Sequence, residues 1–128
     1  MLLIRNAENL ALALDSPIDP KLKHLLALRR NQLLTDTGSD HELGDLVHFV
    51  VAEPFDTIAA IETGIGFPLF TEPAFEWVRD HGGWLEGVVI LSDDGFGIAL
   101  FVPDAKGLDP RILSILRDQA AYSTAGEN

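Results

Sequence analysis

Two apolar segments joined by a tight turn constrain the fold of this chain more than any other feature. Residues 85–91 and 96–102 are strand-length and rich in Val, Ile, Leu and Phe, and Ser92-Asp93-Asp94-Gly95 separates them. Asp-Gly favours a hairpin turn because Gly, and to a lesser degree Asp, tolerates the positive φ that such a turn requires. Neither segment alternates apolar with polar residues, as a strand with one solvated face would. We therefore predict a β-hairpin that is covered on both faces, by helices or by a second subunit.

The helices are predicted from apolar spacing and from start signals. Asp19-Pro20 and Asp109-Pro110 each place a capping carboxylate before a proline that suits the first helical position. Farther along, Ala74, Trp77, Val78 and His81 share a face at helical spacing. Helices are expected at residues 7–14, 20–34, 57–63, 73–81 and 109–121.

A third strand is predicted at 46–52, and Leu2 to Ile4 is read as an edge strand or a docking tail. Strands that are segregated from helices do not suit a doubly wound parallel sheet. The predicted fold class is α+β, with an antiparallel sheet of three to four strands. A chain of 128 residues is expected to form one domain, with a frayed tail at 123–128.

Charge is distributed unevenly along the chain. The net charge is −11, yet the segment between Asn31 and Lys106 holds fourteen acidic residues and a single basic one, Arg79. Binding duplex nucleic acid requires several Lys or Arg side chains on one surface, and this segment does not supply them. The predicted helix at 20–34 offers a modest basic group, typical of a solvated helix face: Lys21, Lys23, Arg29 and Arg30. We expect no nucleic-acid partner.

Composition bears on location and chemistry. The chain has no cysteine, which excludes disulfides, thiolate metal sites and cysteine nucleophiles. No apolar run approaches the roughly 20 residues that span a bilayer. The start of the sequence, MLLIRNAENL, has no basic segment ahead of its apolar residues, as a signal peptide would have. We expect a cytoplasmic protein with no membrane partner.

Two histidines and a carboxylate form the one candidate metal site. His41, Asp45 and His48 lie close together in the run HELGDLVH, and zinc can use two His and a carboxylate. Gly44 and the strand expected from about residue 46 disrupt a helical arrangement of these ligands, and no H-E-x-x-H motif is present. The favoured interpretation places His41 in a loop and His48 in a strand, so no metal is predicted.

The segment around Gly82-Gly83 carries the candidate partner-binding residues. Trp is enriched at interfaces, and an Asp can orient a His for acid–base work, although adjacent helix residues do not face each other. Tryptophans are also typical of half-buried core positions, and Asp-Asp suits a turn. The candidates are Trp77, Asp80, His81, Trp84, Asp93 and Asp94.

Motifs for nucleophilic catalysis and nucleotide binding are missing from the sequence. There is no G-x-S-x-G, and Gly64-Ile65-Gly66 lacks the third glycine of a dinucleotide-binding loop. No catalytic residue and no cofactor is predicted, and the enzyme question stays open with a leaning toward a non-enzymatic protein.

Two segments, HFVVAEPFDTIAAIETGIGFP at 48–68 and EWVRDHGGWLEGVVILSDDGFGIALFVPD at 76–104, carry a resemblance. Over residues 43–104 the chain resembles a small family of uncharacterised acidic bacterial proteins. The resemblance implies a bacterial cytoplasmic protein and carries no activity and no functional residue.

One function is favoured, and two alternatives remain open. The first is a non-enzymatic, self-associating protein whose acidic middle segment binds a basic protein partner, since acidic surfaces steer positively charged partners. The second is a small enzyme or metal-binding protein that uses His41, His48, His81 and nearby carboxylates. The third is a ligand-sensing domain, which requires a sizeable cavity between helices and sheet with polar groups converging on it.

Overall fold

A computed structural model of the chain describes residues 1–37, 47–68, 75–90, 97–104 and 107–126. Its strands are β1 (Leu2–Ile4), β2 (Val47–Val51), β3 (Phe75–Asp80), β4 (Trp84–Ile90) and β5 (Gly97–Pro103). Its helices are α1 (Ala7–Leu14), α2 (Pro20–Thr37), α3 (Ile58–Ile65) and α4 (Pro110–Gly126). The α+β class is confirmed. No helix within these ranges is both long enough and apolar enough to cross a membrane.

The strands form one mixed sheet in the order β1-β2-β5-β4-β3. β1 is an antiparallel edge strand on β2, and β4 is antiparallel to both β5 and β3. β2 and β5 are parallel, with His48 opposite Ile98, so the prediction of an antiparallel sheet of three to four strands is wrong. A parallel pair requires a long crossover, and α3 with the β3–β4 pair supplies it between β2 and β5.

The predicted helix at 73–81 is also wrong, because Phe75–Asp80 forms strand β3. The pairing register of β3 with β4 shifts between Phe75 and Trp77, which marks a β-bulge at Glu76. As a result Phe75 and Val78, three residues apart, are buried in the same core cluster. A bulged strand thus imitates the three-residue apolar spacing of a helix.

Helices cover both faces of the sheet, as predicted for the hairpin. On the first face, α1 and α2 pack Leu10, Leu22 and Leu26 against Phe49 and Phe101. On the second face, α3 and α4 contribute apolar side chains, including Ile61, Ile112 and Leu116, to a cluster with residues of β2, β4 and β5. Along β5, Ile98, Leu100 and Val102 belong to the second cluster and Ala99 and Phe101 to the first.

The two Asp-Pro helix starts are confirmed. The Asp19 carboxylate accepts a hydrogen bond from the backbone N–H of Lys21 at 2.8 Å, and Asp109 accepts one from Arg111 at 3.0 Å. Helix α3 begins one residue later than expected, because Thr57 caps it through the backbone N–H of Ala60. Each cap satisfies a backbone donor that the first helical turn leaves unpaired.

Asp109 links α4 to α3, and its hydrogen bonds hold the pKa of its carboxyl group below the ordinary value. The side chain and backbone N–H of Arg111 are the main causes that lower the pKa of Asp109 from 3.8 to about 2, and the N–H of Ile58 adds to them. A carboxyl group with a depressed folded pKa contributes stability above its unfolded pKa and loses it as pH falls.

We expect Asp109→Asn to be less stable than the unchanged chain at about pH 6, since the amide keeps an acceptor but not the charge. The difference should shrink as pH falls below the ordinary pKa of 3.8 and vanish only below the folded pKa of about 2. Urea unfolding across this pH range measures it, and Asp109→Ala, which also lacks the cap, should stay destabilised throughout. A pH-independent difference for Asp109→Asn would contradict the assignment.

Gly87 in β4 leaves room for the ring of Phe75, which extends from the neighbouring strand β3. A methyl group at Gly87 would lie 2.9 Å from Cδ1 of Phe75. We expect Gly87→Ala to lower the free energy of unfolding by about 1–3 kcal/mol, since overpacking forces neighbours off their preferred positions. Urea unfolding tests this. The loss should be smaller in a Phe75→Leu background, and an equal loss there would refute the proposed clash.

Candidate functional site

A cavity of about 650 Å³ opens between α2 and the sheet. Its lining comes from α2, from β3 and the residue after it, and from β4: Leu25, Leu28 and Arg29, then Trp77, Arg79 and His81, then Glu86 and Val88. Leu25 is buried, whereas Leu28 is 50% exposed. The cavity therefore has an apolar wall on α2 and several charged groups around it.

The β-bulge at Glu76 determines which side chains of β3 reach this cavity. After the bulge, Trp77 pairs with Val88 and Arg79 pairs with Glu86. Directly opposed residues on paired strands share a face of the sheet, so Trp77 and Arg79 join Glu86 and Val88 on the α2 side. Ahead of the bulge, Phe75 points to the other face and packs in the second core cluster.

A buried carboxylate lies at the centre of the site. Glu86 is 3% exposed and is the one charged side chain among the buried residues that the structure describes. Its Oε2 accepts a hydrogen bond from Nε of Arg29 at 2.6 Å and forms an ion pair with Nη2 of the same residue at 2.5 Å. Its Oε1 lies 2.9 Å from Nε2 of His81. A buried charge is tolerated when its oxygens are paired in this way. Glu86 in β4 is therefore joined to α2 through Arg29 and to the residue after β3 through His81.

Trp77 carries two guanidinium groups against its ring. The Cζ atom of Arg29 lies 4.9 Å from the ring centroid, and that of Arg79 lies 5.4 Å from it. Both distances are within the range of a cation–π contact, which is electrostatically favourable and stronger when partly desolvated. Arg29 thus contacts both the Glu86 carboxylate and the ring of Trp77.

The start of α2 is hydrogen-bonded to the turn between β3 and β4 and to the first residue of β4. The indole N–H of Trp84 donates to Oδ2 of Asp19 at 3.1 Å, and Nζ of Lys21 donates to the carbonyl of Gly82 at 2.5 Å. The backbone N–H of Lys21 and the Trp84 indole lower the pKa of Asp19. Gly82 and Gly83 adopt φ of 71° and 125°, which glycine tolerates best.

The structure brings two of the six predicted partner-binding residues to the cavity, Trp77 and His81. Asp80 is exposed and accepts the backbone N–H of Gly82 at 2.7 Å. Trp84 is buried in the first core cluster. Asp93 and Asp94 lie outside the residues that the structure describes.

The sequence interpretation missed Arg29, Arg79 and Glu86. A signal was present for one of them, because Glu86 is the single acid in the otherwise apolar segment WLEGVVI. A charged residue in a strand that is covered on both faces indicates a buried ion pair. The partner could not be identified, since Arg29 is far away in sequence.

The predicted metal candidates are only partly described. His41 and Asp45 fall outside the described residues. His48 lines a second cavity of about 370 Å³, which Val50, Ile65 and Ile98 place on the α3 face of the sheet. His48 and His81 thus line separate cavities. Among the described residues, no group of three or more His, Cys, Asp or Glu side chains could hold a metal ion.

Comparisons with known proteins add no relative. A scan against protein-family models, a search of curated proteins and a search of solved structures found no match for this chain. The resemblance to acidic bacterial proteins stays a prediction.

The Arg29–Glu86 pair generates a stability prediction. Arg29→Met leaves the buried carboxylate with His81 alone, so we expect it to lower the free energy of unfolding by about 3 kcal/mol. Arg29→Met combined with Glu86→Met replaces the pair by apolar side chains and should recover part of that loss. Urea unfolding at neutral pH measures both variants.

Lys23→Met serves as the control, because it removes a charge from the same helix at a position that does not line the cavity. It should stay within about 0.5 kcal/mol of the unchanged chain. A double variant as unstable as Arg29→Met would contradict the role given to the carboxylate.

Proposed function

We propose that this chain binds a small organic molecule in the cavity between α2 and the sheet. The observation that supports the proposal is the cavity itself. Its volume is about 650 Å³, and its lining combines an apolar wall with a group of polar side chains. Ligand sites are typically clefts of about 300–1,000 Å³ with mainly apolar walls and a few placed polar groups. This is the ligand-sensing function among those that the sequence left open.

The rigidity of the polar groups also supports a binding role. Glu86 is held through both of its oxygens, and Arg29 contacts both Glu86 and the ring of Trp77. Side chains fixed in advance by such contacts lose little conformational freedom when a ligand binds. The walls of the cavity therefore offer a pre-formed site.

A second proposal keeps the acidic middle segment as a surface for a basic protein. Glu53, Glu76, Asp80 and Asp104 are all exposed. The accompanying expectation of self-association rested on sheet faces that needed a cover, and α1 to α4 now supply that cover. A pull-down from bacterial lysate tests this second proposal: a stoichiometric basic partner that leaves in high salt would support it.

The ligand proposal is tested by a small-molecule fragment screen that follows the two indole N–H resonances by NMR. Trp77 lines the cavity, whereas Trp84 is buried and hydrogen-bonded to Asp19, so Trp84 is an internal reference. We expect binding fragments to shift the Trp77 resonance in a saturable way and to leave that of Trp84 nearly unchanged. If no fragment shifts Trp77, the proposed function fails.

A pair of matched variants then locates the binding site. Leu28→Tyr adds bulk at an exposed cavity residue, and Leu12→Tyr adds the same bulk at an exposed position of α1 that does not line the cavity. We expect Leu28→Tyr to weaken fragment binding by roughly tenfold or more, an energy of about 1.4 kcal/mol, and Leu12→Tyr to leave it unchanged. Equal effects of the two variants would place binding elsewhere.

A further inference from the structure

The second cavity, of about 370 Å³, lies on the face of the sheet opposite the α2–sheet cavity. Leu3, Val50 and Ile98 line it from the sheet, and Ile65 and Phe67 line it from the end of α3 and the segment after it. Its volume falls within the range of small-molecule sites, and apolar side chains make up most of its lining, as in such sites. This cavity therefore has the size and the surface of a binding site, separate from the one proposed above.

One arginine lines this largely apolar cavity. Arg5 follows β1 and shares the face of Leu3, because successive side chains of an extended chain point to opposite faces. Leu3 pairs with Val50, so continuing the β1–β2 register places Arg5 opposite His48, which also lines the cavity. Among the described residues, no Asp or Glu lines it. A cationic ligand would thus find no carboxylate there.

Within the described part of the chain, the guanidinium group of Arg5 is not neutralised. It makes no hydrogen bond or ion pair with a described residue, and Arg5 contacts Asn9 through its backbone N–H, which donates to Oδ1 at 3.2 Å. Arg111, by contrast, is paired with Asp109 at 2.9 Å. The partial negative charge at the carboxyl end of α3 is smaller than a full guanidinium charge. The planar donors of Arg5 suit the oxygens of a carboxylate or a phosphate.

We infer that this second cavity binds a small organic anion, whose apolar body packs against Ile65, Phe67 and Ile98 and whose carboxylate or phosphate pairs with Arg5. The inference does not depend on the function proposed for the α2–sheet cavity, because the two cavities lie on opposite faces of the sheet and share no lining residue. The chain as a whole carries −11 and repels anions at long range. Selective binding of anions here would therefore report local pairing.

The test compares probes that have the same alkyl chain and different charge: octanoate, octyl phosphate, octanamide and octylamine. Each is titrated into the full chain, and binding is followed by the NMR methyl resonances of Ile65 and Ile98, with the indole N–H of Trp77 as the reference. We expect the anions to bind roughly tenfold more tightly than the amide, since a charge-assisted hydrogen bond is about twice as strong as a neutral one. The amine should bind most weakly. The tighter of the two anions distinguishes a carboxylate site from a phosphate site.

Variants assign the selectivity to Arg5. Arg5→Gln should lower the affinity for the anions to about that of the amide, a loss of roughly tenfold, and leave amide binding unchanged. It keeps the backbone N–H that bonds Asn9. Arg5→Lys, which keeps the charge but not the planar donors, should recover part of the loss. Lys23→Gln is the matched control, because it removes a positive charge at a residue that does not line this cavity.

A second pair of variants tests the apolar part of the site. Phe67→Ala removes a lining ring and should weaken the binding of every probe, the amide included, by roughly fivefold. Phe55→Ala removes an exposed ring that does not line the cavity and should leave all the affinities unchanged. Equal effects of these two variants would contradict the place given to the alkyl chain.

The remaining outcomes are distinct. If the amide or the amine binds as tightly as the anions, or if Lys23→Gln reduces anion binding as much as Arg5→Gln does, the inference is overturned. If the anions shift Trp77 and leave Ile65 and Ile98 unchanged, they bind in the other cavity and the inference is also overturned. If no probe shifts Ile65 or Ile98, the second cavity is not a binding site. That result leaves the α2–sheet proposal standing, because its own test is read at Trp77.

Discussion

The buried carboxylate of Glu86 is the interaction on which the arrangement around it depends. A carboxylate removed from water costs several kcal/mol unless its oxygens are paired, and Glu86 is 3% exposed in the middle of β4. Its partners come from α2 and from the residue that follows β3, through Arg29 and His81. One side chain therefore couples the sheet to the helix above it and to the chain leaving the edge strand.

The β-bulge at Glu76 determines which side chains of β3 lie near Glu86, independently of the ion pair. Without an extra residue, strict alternation would place Phe75, Trp77 and Arg79 on one face of β3. The bulge instead sends Phe75 into the core between the sheet and α3 and α4, and turns Trp77 and Arg79 toward α2. The cavity thus acquires an aromatic ring and a second guanidinium because of one register shift.

Folding brings basic residues from distant parts of the sequence to the same region of the sheet. Arg79 is the single basic residue in a long acidic segment. It contacts the same Trp77 ring as Arg29, a member of the basic group on α2. Lys21, from the same group, donates to the carbonyl of Gly82. The basic face of α2, which looked like an ordinary solvated surface, is partly used to contact the sheet and to surround a cavity.

The sequence by itself determined the elements whose signals are local. Asp-Pro caps, apolar runs and absence of polar alternation were sufficient for α1, α2, α4, β2, the β4–β5 pair and the coverage of both sheet faces. Tertiary structure alone decided the parallel pairing of β2 with β5, the bulged strand in place of a helix at Phe75–Asp80, and the meeting of Arg29 with Glu86. Local patterns report the conformation and burial of neighbouring residues. Strand order, register shifts and ion pairs depend on contacts between residues that are distant in sequence. These contacts contribute to stability only in the folded chain, so a local pattern does not reveal them.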